Sequence, residues 1–256
     1  MDDGAARSRM LLAPAGGEMA RPDEDISAEL KTPDSNVPRV TIMRRLWLAV
    51  EMIALFGFTP ILVYTLLYEY RMPLFQILPP VFLAFIVFLT LDRSFSWKRL
   101  LLTGISLKHI ISILTVFAIA GPGLVIFAQN DAPQRFLAFP RYAYDIWITV
   151  MIVYPLISVT TQEIMYRVFF FHRYKPLFEK DPQGAIVLNA VLFSFSHIVF
   201  QNVTTLIISL LGGLLFSWRY HSSKSYWALV IEHSLYGNLI FTVGLGKYFY
   251  TGVSNF

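Results

Sequence analysis

Long apolar segments separated by short polar ones run along the chain from about residue 45 to the C-terminus. A helix that crosses the hydrocarbon of a bilayer needs about 20 mostly apolar residues. Seven segments approach or exceed that length, and each predicts a membrane span: residues 45–68, 73–91, 109–129, 145–171, 185–200, 203–220 and 226–246. The pattern therefore predicts an all-α fold, a polytopic transmembrane helix bundle of about seven spans.

Two of the predicted spans contain unusual residues. The fifth is short and carries Asn189 and His197, which indicates that it lies inside the bundle, where polar groups need not face lipid. The third contains Gly121-Pro122-Gly123, and we expect the helix to kink or break there.

The first 40 residues have a different pattern, rich in Asp, Glu, Ala, Gly and Pro and without a sustained apolar run. Such a segment cannot bury enough apolar surface to offset the entropy lost on ordering. The sequence thus predicts a disordered cytoplasmic tail over residues 1–40, N-terminal transmembrane helices over 41–140, and a core with polar motif helices over 141–256.

The composition agrees with a membrane protein. Apolar residues make up 55% of the 256 residues and charged residues only 15%, against about 25% charged in soluble domains. The absence of cysteine excludes disulfides, thiol nucleophiles and thiolate metal sites. The net charge of +4 is small, and basic residues of membrane proteins usually flank their spans, so no nucleic acid partner is expected.

Loop charges predict the orientation. With the N-terminus in the cytoplasm, the inner flanks and loops hold eleven basic residues, namely Arg44, Arg45, Arg93, Lys98, Arg99, Lys108, Arg173, Lys175, Lys180, Arg219 and Lys224. The outer loops hold four, namely Arg71, Arg135, Arg141 and Lys247. This bias follows the positive-inside rule. We therefore expect an integral protein of a bacterial cytoplasmic membrane, with its N-terminus in the cytoplasm and its C-terminus outside.

Polar side chains inside the predicted spans are concentrated in the C-terminal half. They are Gln162, Glu163 and Arg167 in the fourth span, Asn189 and His197 in the fifth, and Glu232, His233 and Asn238 in the seventh. At about 1.5 Å per helical residue, Glu163, His197 and His233 lie roughly 14–21 Å from the inner membrane edge. One carboxylate and two imidazoles from three helices at similar depth form a pattern typical of a site.

Each of these residues also has a purely structural interpretation. Glu163 and Arg167 are four positions apart with the acid first, which is the favourable orientation for an ion pair within one helix. A buried histidine often serves only as a hydrogen-bonding residue, because it can both donate and accept. Asn189 can hydrogen-bond between helices.

One glutamate and two histidines support two kinds of hydrolytic site. His197 and His233 can hold a zinc ion together with a carboxylate, and the zinc acidifies a bound water. Without metal, Glu163 and a histidine can position and deprotonate a water. Asn238 would then donate to the developing oxyanion, and Arg167 would orient Glu163.

The motif order resembles that of the CPBP intramembrane proteases, which include the CAAX prenyl endopeptidases and the bacterial Abi and bacteriocin-processing relatives. That family carries E-E-x-x-x-R, then F-x-x-x-H, then H-x-x-x-N or a close variant. The corresponding residues here are Gln162-Glu163-Ile-Met-Tyr-Arg167, Phe193-Ser-Phe-Ser-His197 and His233-Ser-Leu-Tyr-Gly237-Asn238, and the resemblance covers about residues 145–245. It implies an intramembrane endopeptidase with Glu163, Arg167, His197, His233 and Asn238 as site residues.

Two positions depart from the family motifs. Gln162 stands where the family has its first glutamate, the residue usually assigned as the base, and Glu163 matches the second, which is thought to support the arginine. Gly237 stands where the family often has Asn, and Asn238 follows it about 100° further around the helix. Glu163 can replace the base if its helix is locally rotated, and Glu232 beside His233 is a further candidate.

Other functions stay open at this point. The chain can be a catalytically inactive CPBP-like scaffold, a small ion- or proton-coupled transporter, or a protein that ligates haem through His197 and His233. Polar residues confined to one half favour a site over a transport path, because transporters often consist of repeated halves. The expected partners are membrane lipid and a membrane-anchored peptide or protein substrate, which the sequence does not name.

Overall fold

The computed structural model describes residues 41–251, and every regular element within them is a helix. We label the α-helices in chain order as α1 (Ile42–Tyr68), α2 (Leu74–Leu91), α3 (Trp97–Leu102), α4 (Leu107–Asp131), α5 (Ala138–Tyr142), α6 (Tyr144–Arg173), α7 (Pro182–Ser196), α8 (Val203–Ser223) and α9 (Tyr226–Thr242). The predicted tail over residues 1–40 lies outside the described residues.

Among the described residues, six helices are long and apolar enough to cross a membrane. They are α1, α2, α4, α6, α7 with the 3₁₀ turn that follows it, and α8. The seventh predicted span forms as α9, which has 17 residues and lies at the short end of the range for spanning helices. The predicted fold class, an all-α polytopic bundle, is confirmed, and the orientation of the termini stays a prediction.

Helix α9 lies in the interior of the bundle and contacts α4, α6 and α8. Trp227 and Ile231 are exposed on one face of α9. The rest of the helix is buried or half-buried, and its buried residues are Tyr226, Ala228, Leu229, Val230, Glu232, His233, Tyr236, Gly237 and Ile240. A helix that is apolar all round is typical of a buried position. Lys224 takes a left-handed conformation between α8 and α9, and the Ser225 hydroxyl caps the first turn of α9. The short connection fixes His233 inside the protein.

Helices α7 and α8 form a closely packed hairpin. A β-carbon on Gly213 would lie 3.0 Å from the Cα of Ala190, so a glycine is needed for this close approach. Asn189 donates to the carbonyl oxygen of Tyr166 over 2.5 Å and accepts from the Ser217 hydroxyl over 2.7 Å. Asn189 thus joins α7 to both α6 and α8, in line with its structural interpretation.

Helix α4 runs continuously from Leu107 to Asp131 with Pro122 inside it, so Gly121-Pro122-Gly123 does not break the helix. Proline removes only one backbone donor from a helix, and helices in a membrane bundle tolerate this loss. A kink at the triplet stays a prediction.

The C-terminal part of α6 is anchored by an aromatic cluster and an ion pair. Phe169 and Phe170 are almost fully buried and pack against Phe56 of α1. Just beyond them, the Arg173 guanidinium donates two hydrogen bonds to the Glu51 carboxylate over 2.7 and 2.8 Å. These contacts fix the depth and rotation of α6, which carries the candidate site.

Candidate active site

The backbone of α6 departs from α geometry on both sides of Glu163. Turns of π-helix cover Tyr154–Val159 and Ile164–Phe169, and four α-helical residues, Thr160–Glu163, lie between them. Each π turn holds an extra residue and therefore rotates the positions that follow, a feature frequent at functional sites. Glu163 is fully buried and points to α9, whereas Gln162 lines a cavity. Although they are adjacent in sequence, Glu163 and Gln162 therefore lie in different environments, one in the protein interior and one at the cavity wall.

Glu163 and His233 form a short hydrogen bond between α6 and α9. The distance from His233 Nδ1 to Glu163 Oε1 is 2.6 Å, and both side chains are buried. A carboxylate can only accept, so Nδ1 donates and Nε2 of a neutral imidazole keeps its lone pair. This arrangement holds the imidazole in one tautomer, as the orienting carboxylate does in catalytic acid–base pairs.

Arg167 pairs with the same carboxylate, as the i, i+4 spacing predicts. Its Nη1 lies 3.4 Å from Glu163 Oε1, and its Nη2 donates to the carbonyl oxygen of Gly213 over 3.5 Å. The guanidinium carbon lies 4.2 Å from the Phe193 ring centroid and 5.5 Å from that of Phe216. The cation is therefore held largely by aromatic faces, which stabilise a desolvated guanidinium by about 2 kcal/mol.

The Glu163–Arg167 pair leaves polar atoms unsatisfied. Among the described residues, Glu163 Oε2, Arg167 Nε and Arg167 Nη1 have no hydrogen-bond partner. Buried polar atoms are nearly always hydrogen-bonded, and exceptions concentrate where strain, catalysis or an exchangeable partner is involved. The pair is thus unlike an ion pair optimised for stability alone.

Tyr154 reaches the other ring nitrogen of His233. Its hydroxyl lies 3.2 Å from His233 Nε2, which has a free lone pair because Nδ1 carries the proton. The Phe216 ring stacks on the imidazole with centroids 4.4 Å apart. The result is a hydrogen-bonded chain of carboxylate, imidazole and hydroxyl, with the imidazole stacked on an aromatic ring.

His197 is the last residue to enter the arrangement, at the point where α7 changes from α-helix to a 3₁₀ turn. Its Nδ1 donates to the carbonyl oxygen of Phe193 over 2.8 Å, which leaves Nε2 as an acceptor. The Phe193 ring lies between the two histidines, with centroids 4.8 Å from His197 and 6.0 Å from His233. Arg167, His197 and His233 therefore all pack against the Phe193 ring.

His197, His233, Phe193 and Tyr154 border a cavity of about 1190 Å³. Its wall is mostly apolar, and its polar side chains include Gln162, His197 and His233. It reaches the lipid-facing surface at exposed residues of α2 and α6 such as Phe75 and Leu156. A chamber of this size accommodates a peptide segment or an apolar chain that enters from the bilayer.

Three other sequence candidates are placed differently. Asn238 donates to the carbonyl oxygen of Met151 over 3.2 Å and does not line the cavity, so this geometry offers no support for its role toward an oxyanion. Glu232 accepts two hydrogen bonds from Arg219, over 2.6 and 2.8 Å, and is not available as a base. Gln162 donates to the Ser158 hydroxyl over 2.8 Å at the cavity wall.

The donor set does not fit a three-ligand zinc site. Within residues 41–251, no group of three or more His, Asp and Glu side chains is placed to hold a metal ion. Catalytic zinc usually takes three protein ligands. Since Nδ1 of both histidines is engaged, His197 and His233 offer one nitrogen each.

Sequence reasoning did not identify Tyr154, Phe216 or the aromatic seat of Arg167 as parts of the site. Tyr154 lies nine positions before Glu163, and nothing in the local sequence marks it. Gly237 is the indirect signal, because a β-carbon there would overlap the Tyr154 ring. The space that a side chain at position 237 would occupy is filled by the Tyr154 ring from α6, and this is visible only in the structure.

Part of the chain is similar to a known protein family. The model of the Rce1-like type II CAAX prenyl endopeptidase family matches residues 144–239. No curated protein and no solved structure matches the chain. The matched segment contains all three motifs that converge on the cavity. The match confirms the resemblance of this segment to the CPBP family of intramembrane proteases.

Proposed function

We propose that the protein is an intramembrane endopeptidase that hydrolyses a peptide bond of a membrane-associated protein or peptide. The observation that carries the proposal is the 2.6 Å hydrogen bond between Glu163 and His233 beside a cavity that reaches the lipid-facing surface. The family match supports a protease of the CAAX type, in which the substrate is held by the membrane.

In the proposed reaction, His233 Nε2 is the general base. It takes a proton from water as the oxygen attacks the substrate carbonyl carbon, and a tetrahedral intermediate forms. Glu163 stabilises the imidazolium through the Nδ1 hydrogen bond. The imidazolium then gives its proton to the leaving amine nitrogen, and the C–N bond breaks. Such acid–base help is worth about 10²–10⁴-fold in rate.

His197 and Arg167 have separate roles in this proposal. The free Nε2 of His197, which lines the cavity, accepts a hydrogen bond from the attacking water or from a substrate amide. Arg167 contacts the Glu163 carboxylate that accepts from His233, from a position beside the Phe193 ring. Arg167 is thus a positioning residue and His197 a substrate-facing one.

A catalytically inactive scaffold is the second candidate, and one observation favours it. The side chain that faces the cavity at the first motif position is the amide of Gln162 rather than a carboxylate. An amide cannot act as a base, so activity depends on the Glu163–His233 pair alone. The mostly apolar cavity wall offers less support for a transport path for ions.

The proposal is tested with the full chain in liposomes and two internally quenched peptides of one sequence, with and without a C-terminal farnesylcysteine. We expect cleavage of at least one peptide by the wild type and loss of about 10³-fold with His233→Gln. Preference for the lipid-bearing peptide would identify lipid-modified substrates. No cleavage of either peptide, or equal cleavage by His233→Gln, would support the scaffold instead.

Metal dependence needs its own measurement. Metal analysis of the purified chain, with His197→Ala as the comparison, shows whether a metal binds at the histidines. We expect less than one equivalent of zinc bound in the wild type, the same content in His197→Ala, and full activity after treatment with a chelator. Stoichiometric zinc that His197→Ala abolishes would replace the proposed base with a metal-bound water.

A further inference from the structure

Tyr154 is the group nearest to the nitrogen that the proposed reaction uses. Its hydroxyl lies 3.2 Å from His233 Nε2, and its ring packs edge-on against Phe241 with centroids 5.1 Å apart. It is the first residue of the π turn that precedes Glu163 in α6, and its side chain lines the cavity. The same helix therefore brings a carboxylate to one side of His233 and a hydroxyl to the other.

The position of the Tyr154 ring depends on Gly237. A β-carbon at position 237 would overlap the atoms at the hydroxyl end of the ring, so any larger residue would displace the hydroxyl from His233. Gly237 and His233 lie one turn apart on α9, on the same side of the helix. The glycine makes room for a hydroxyl beside the imidazole, in place of a side chain from α9 itself.

Hydrolysis needs a hydrogen-bond donor for the carbonyl oxygen as it becomes an oxyanion. The Tyr236 hydroxyl at the cavity and the Arg167 nitrogens Nε and Nη1 away from it have no hydrogen-bond partner in the described residues, whereas three other side-chain donors near His233 are engaged. The Asn238 amide donates to Met151, the Gln162 amide donates to Ser158, and His197 Nδ1 donates to Phe193. The Tyr154 hydroxyl is bound only to the nitrogen that must be released for water. It can turn about its Cζ–O bond while the ring stays in place.

We propose that Tyr154 is a catalytic residue whose hydroxyl donates to the substrate carbonyl oxygen, an inference that rests on the proposed peptidase function. In the resting enzyme the hydroxyl donates to His233 Nε2 and engages the lone pair that must take the proton from water. When a substrate carbonyl enters, the hydroxyl transfers its hydrogen bond to that oxygen, and Nε2 becomes free to accept a proton from water. No bond to Tyr154 is made or broken, and its proton stays on the phenol oxygen.

The test compares Tyr154→Phe with Tyr236→Phe in the liposome assay. Phe keeps the ring that packs against Gly237 and removes only the hydroxyl. Tyr236 also lines the cavity, and its hydroxyl has no hydrogen-bond partner among the described residues. We expect Tyr154→Phe to lower kcat about 10²-fold, the usual effect of losing one such donor, with KM changed less than threefold. Tyr236→Phe should stay within threefold of the wild type.

A double-mutant cycle of Tyr154→Phe and Gly237→Ala distinguishes a catalytic role of the Tyr154 hydroxyl from a purely structural role of the two residues. Gly237→Ala should lower kcat because the added methyl group displaces the Tyr154 hydroxyl. In a Tyr154→Phe background, Gly237→Ala should cause less than a threefold further loss, since the hydroxyl is already absent. Full additivity of the two losses would contradict the proposed link between Gly237 and the hydroxyl.

The outcomes separate this inference from the proposed function. If the wild type cleaves the peptide, His233→Gln does not, and Tyr154→Phe retains kcat within twofold, then Tyr154 is not catalytic while the peptidase assignment stands. Equal losses in Tyr154→Phe and Tyr236→Phe also overturn the inference. If the wild type cleaves neither peptide, or His233→Gln is fully active, the proposed function fails and the inference fails with it.

Discussion

Within residues 41–251 there are two buried glutamate–arginine pairs that differ in almost every detail. Arg219 and Glu232 join α8 to α9 through two hydrogen bonds of 2.6 and 2.8 Å, and the third arm of Arg219 donates to Ser112 of α4. Glu163 and Arg167 lie on one helix, 3.4 Å apart, with one carboxylate oxygen and two guanidinium nitrogens lacking hydrogen bonds within the described part of the chain.

The difference in hydrogen bonding between the two pairs indicates that one stabilises the fold and the other belongs to the site. A buried pair contributes to folding only when its hydrogen bonds are complete, because desolvation otherwise exceeds the Coulomb attraction. The Arg219–Glu232 pair meets that condition and ties three helices together. The Glu163–Arg167 pair does not, and its carboxylate makes its short hydrogen bond to His233 instead. One pair is organised as a structural link and the other as part of a site.

The largest effect is expected at the incomplete pair. Glu163→Gln removes the negative charge that stabilises the His233 imidazolium, and an amide can turn its NH₂ group toward Nδ1 and favour the wrong tautomer. We expect the rate of peptide cleavage to fall by about 10³–10⁴-fold. The midpoint of thermal aggregation should fall less than in Glu232→Gln, because Arg167 makes only a 3.4 Å contact with Glu163 and keeps the faces of Phe193 and Phe216. A variant that keeps more than a tenth of wild-type activity would contradict the assigned role.

The same substitution at the complete pair should act on folding. Glu232→Gln leaves the Arg219 guanidinium as a buried charge without its counterion, which costs about 3–5 kcal/mol of stability. Denaturant unfolding in detergent measures this loss. The fraction that stays folded should cleave peptide within threefold of the wild-type rate. A stable but inactive Glu232→Gln would instead identify Glu232 as a second catalytic carboxylate.

A small effect is expected at the cavity position next to Glu163. Gln162 donates only to Ser158 and makes no contact with His233, so Gln162→Ala should lower activity by less than about threefold. Gln162→Glu, which adds a second carboxylate beside Glu163, should change the pH dependence of the rate because adjacent carboxylates oppose each other's ionisation. Loss of all activity in Gln162→Ala would contradict this and show that the Gln162 amide takes part in the reaction.

The smallest effect concerns a polar contact outside the spans. Partial burial raises the pKa of Asp92, but hydrogen bonds from Ser94 and His172 outweigh it and hold that pKa below its usual value. A lowered folded-state pKa stabilises the protein above the unfolded pKa, and the stabilisation is lost as pH falls through the folded value. Asp92→Asn should cost less than about 1 kcal/mol at pH 7.

The pH dependence provides the control for Asp92. The difference in stability between wild type and Asp92→Asn should shrink as pH is lowered below the range in which aspartates ordinarily titrate. Thermal aggregation midpoints at several pH values measure it. A difference that stays constant down to pH 3 would show that the contact does not depend on the charge of Asp92.

The helices and the convergence of the three motifs follow from the sequence because both depend on local patterns. Apolar runs mark the spans, and equal depth brings Glu163 and His233 together. The sequence does not reveal the π turns of α6, since each depends on packing against other helices, the first against α9 and the second against α2 and α7. The sequence also does not predict that Glu232 pairs with Arg219, because Arg219 lies near the end of a different span and the contact depends on how α8 and α9 pack.

Asn238 illustrates the limit of motif reasoning most clearly. A shift of one position along a helix turns a side chain by about 100°, and here it carries the amide from the cavity to the backbone of α6. The place that the shift leaves open at Gly237 is filled by Tyr154 from another helix. No pattern within α9 contains that information.

The central claim is that the Glu163–His233 pair, and not the Glu232–Arg219 pair, performs hydrolysis. The most direct measurement is the initial rate of peptide cleavage by Glu163→Gln and Glu232→Gln in liposomes, with each rate divided by the amount of folded protein. We expect the rate for Glu163→Gln to be at least 10²-fold below that for Glu232→Gln. Equal rates for the two variants, or a lower rate for Glu232→Gln, would contradict it.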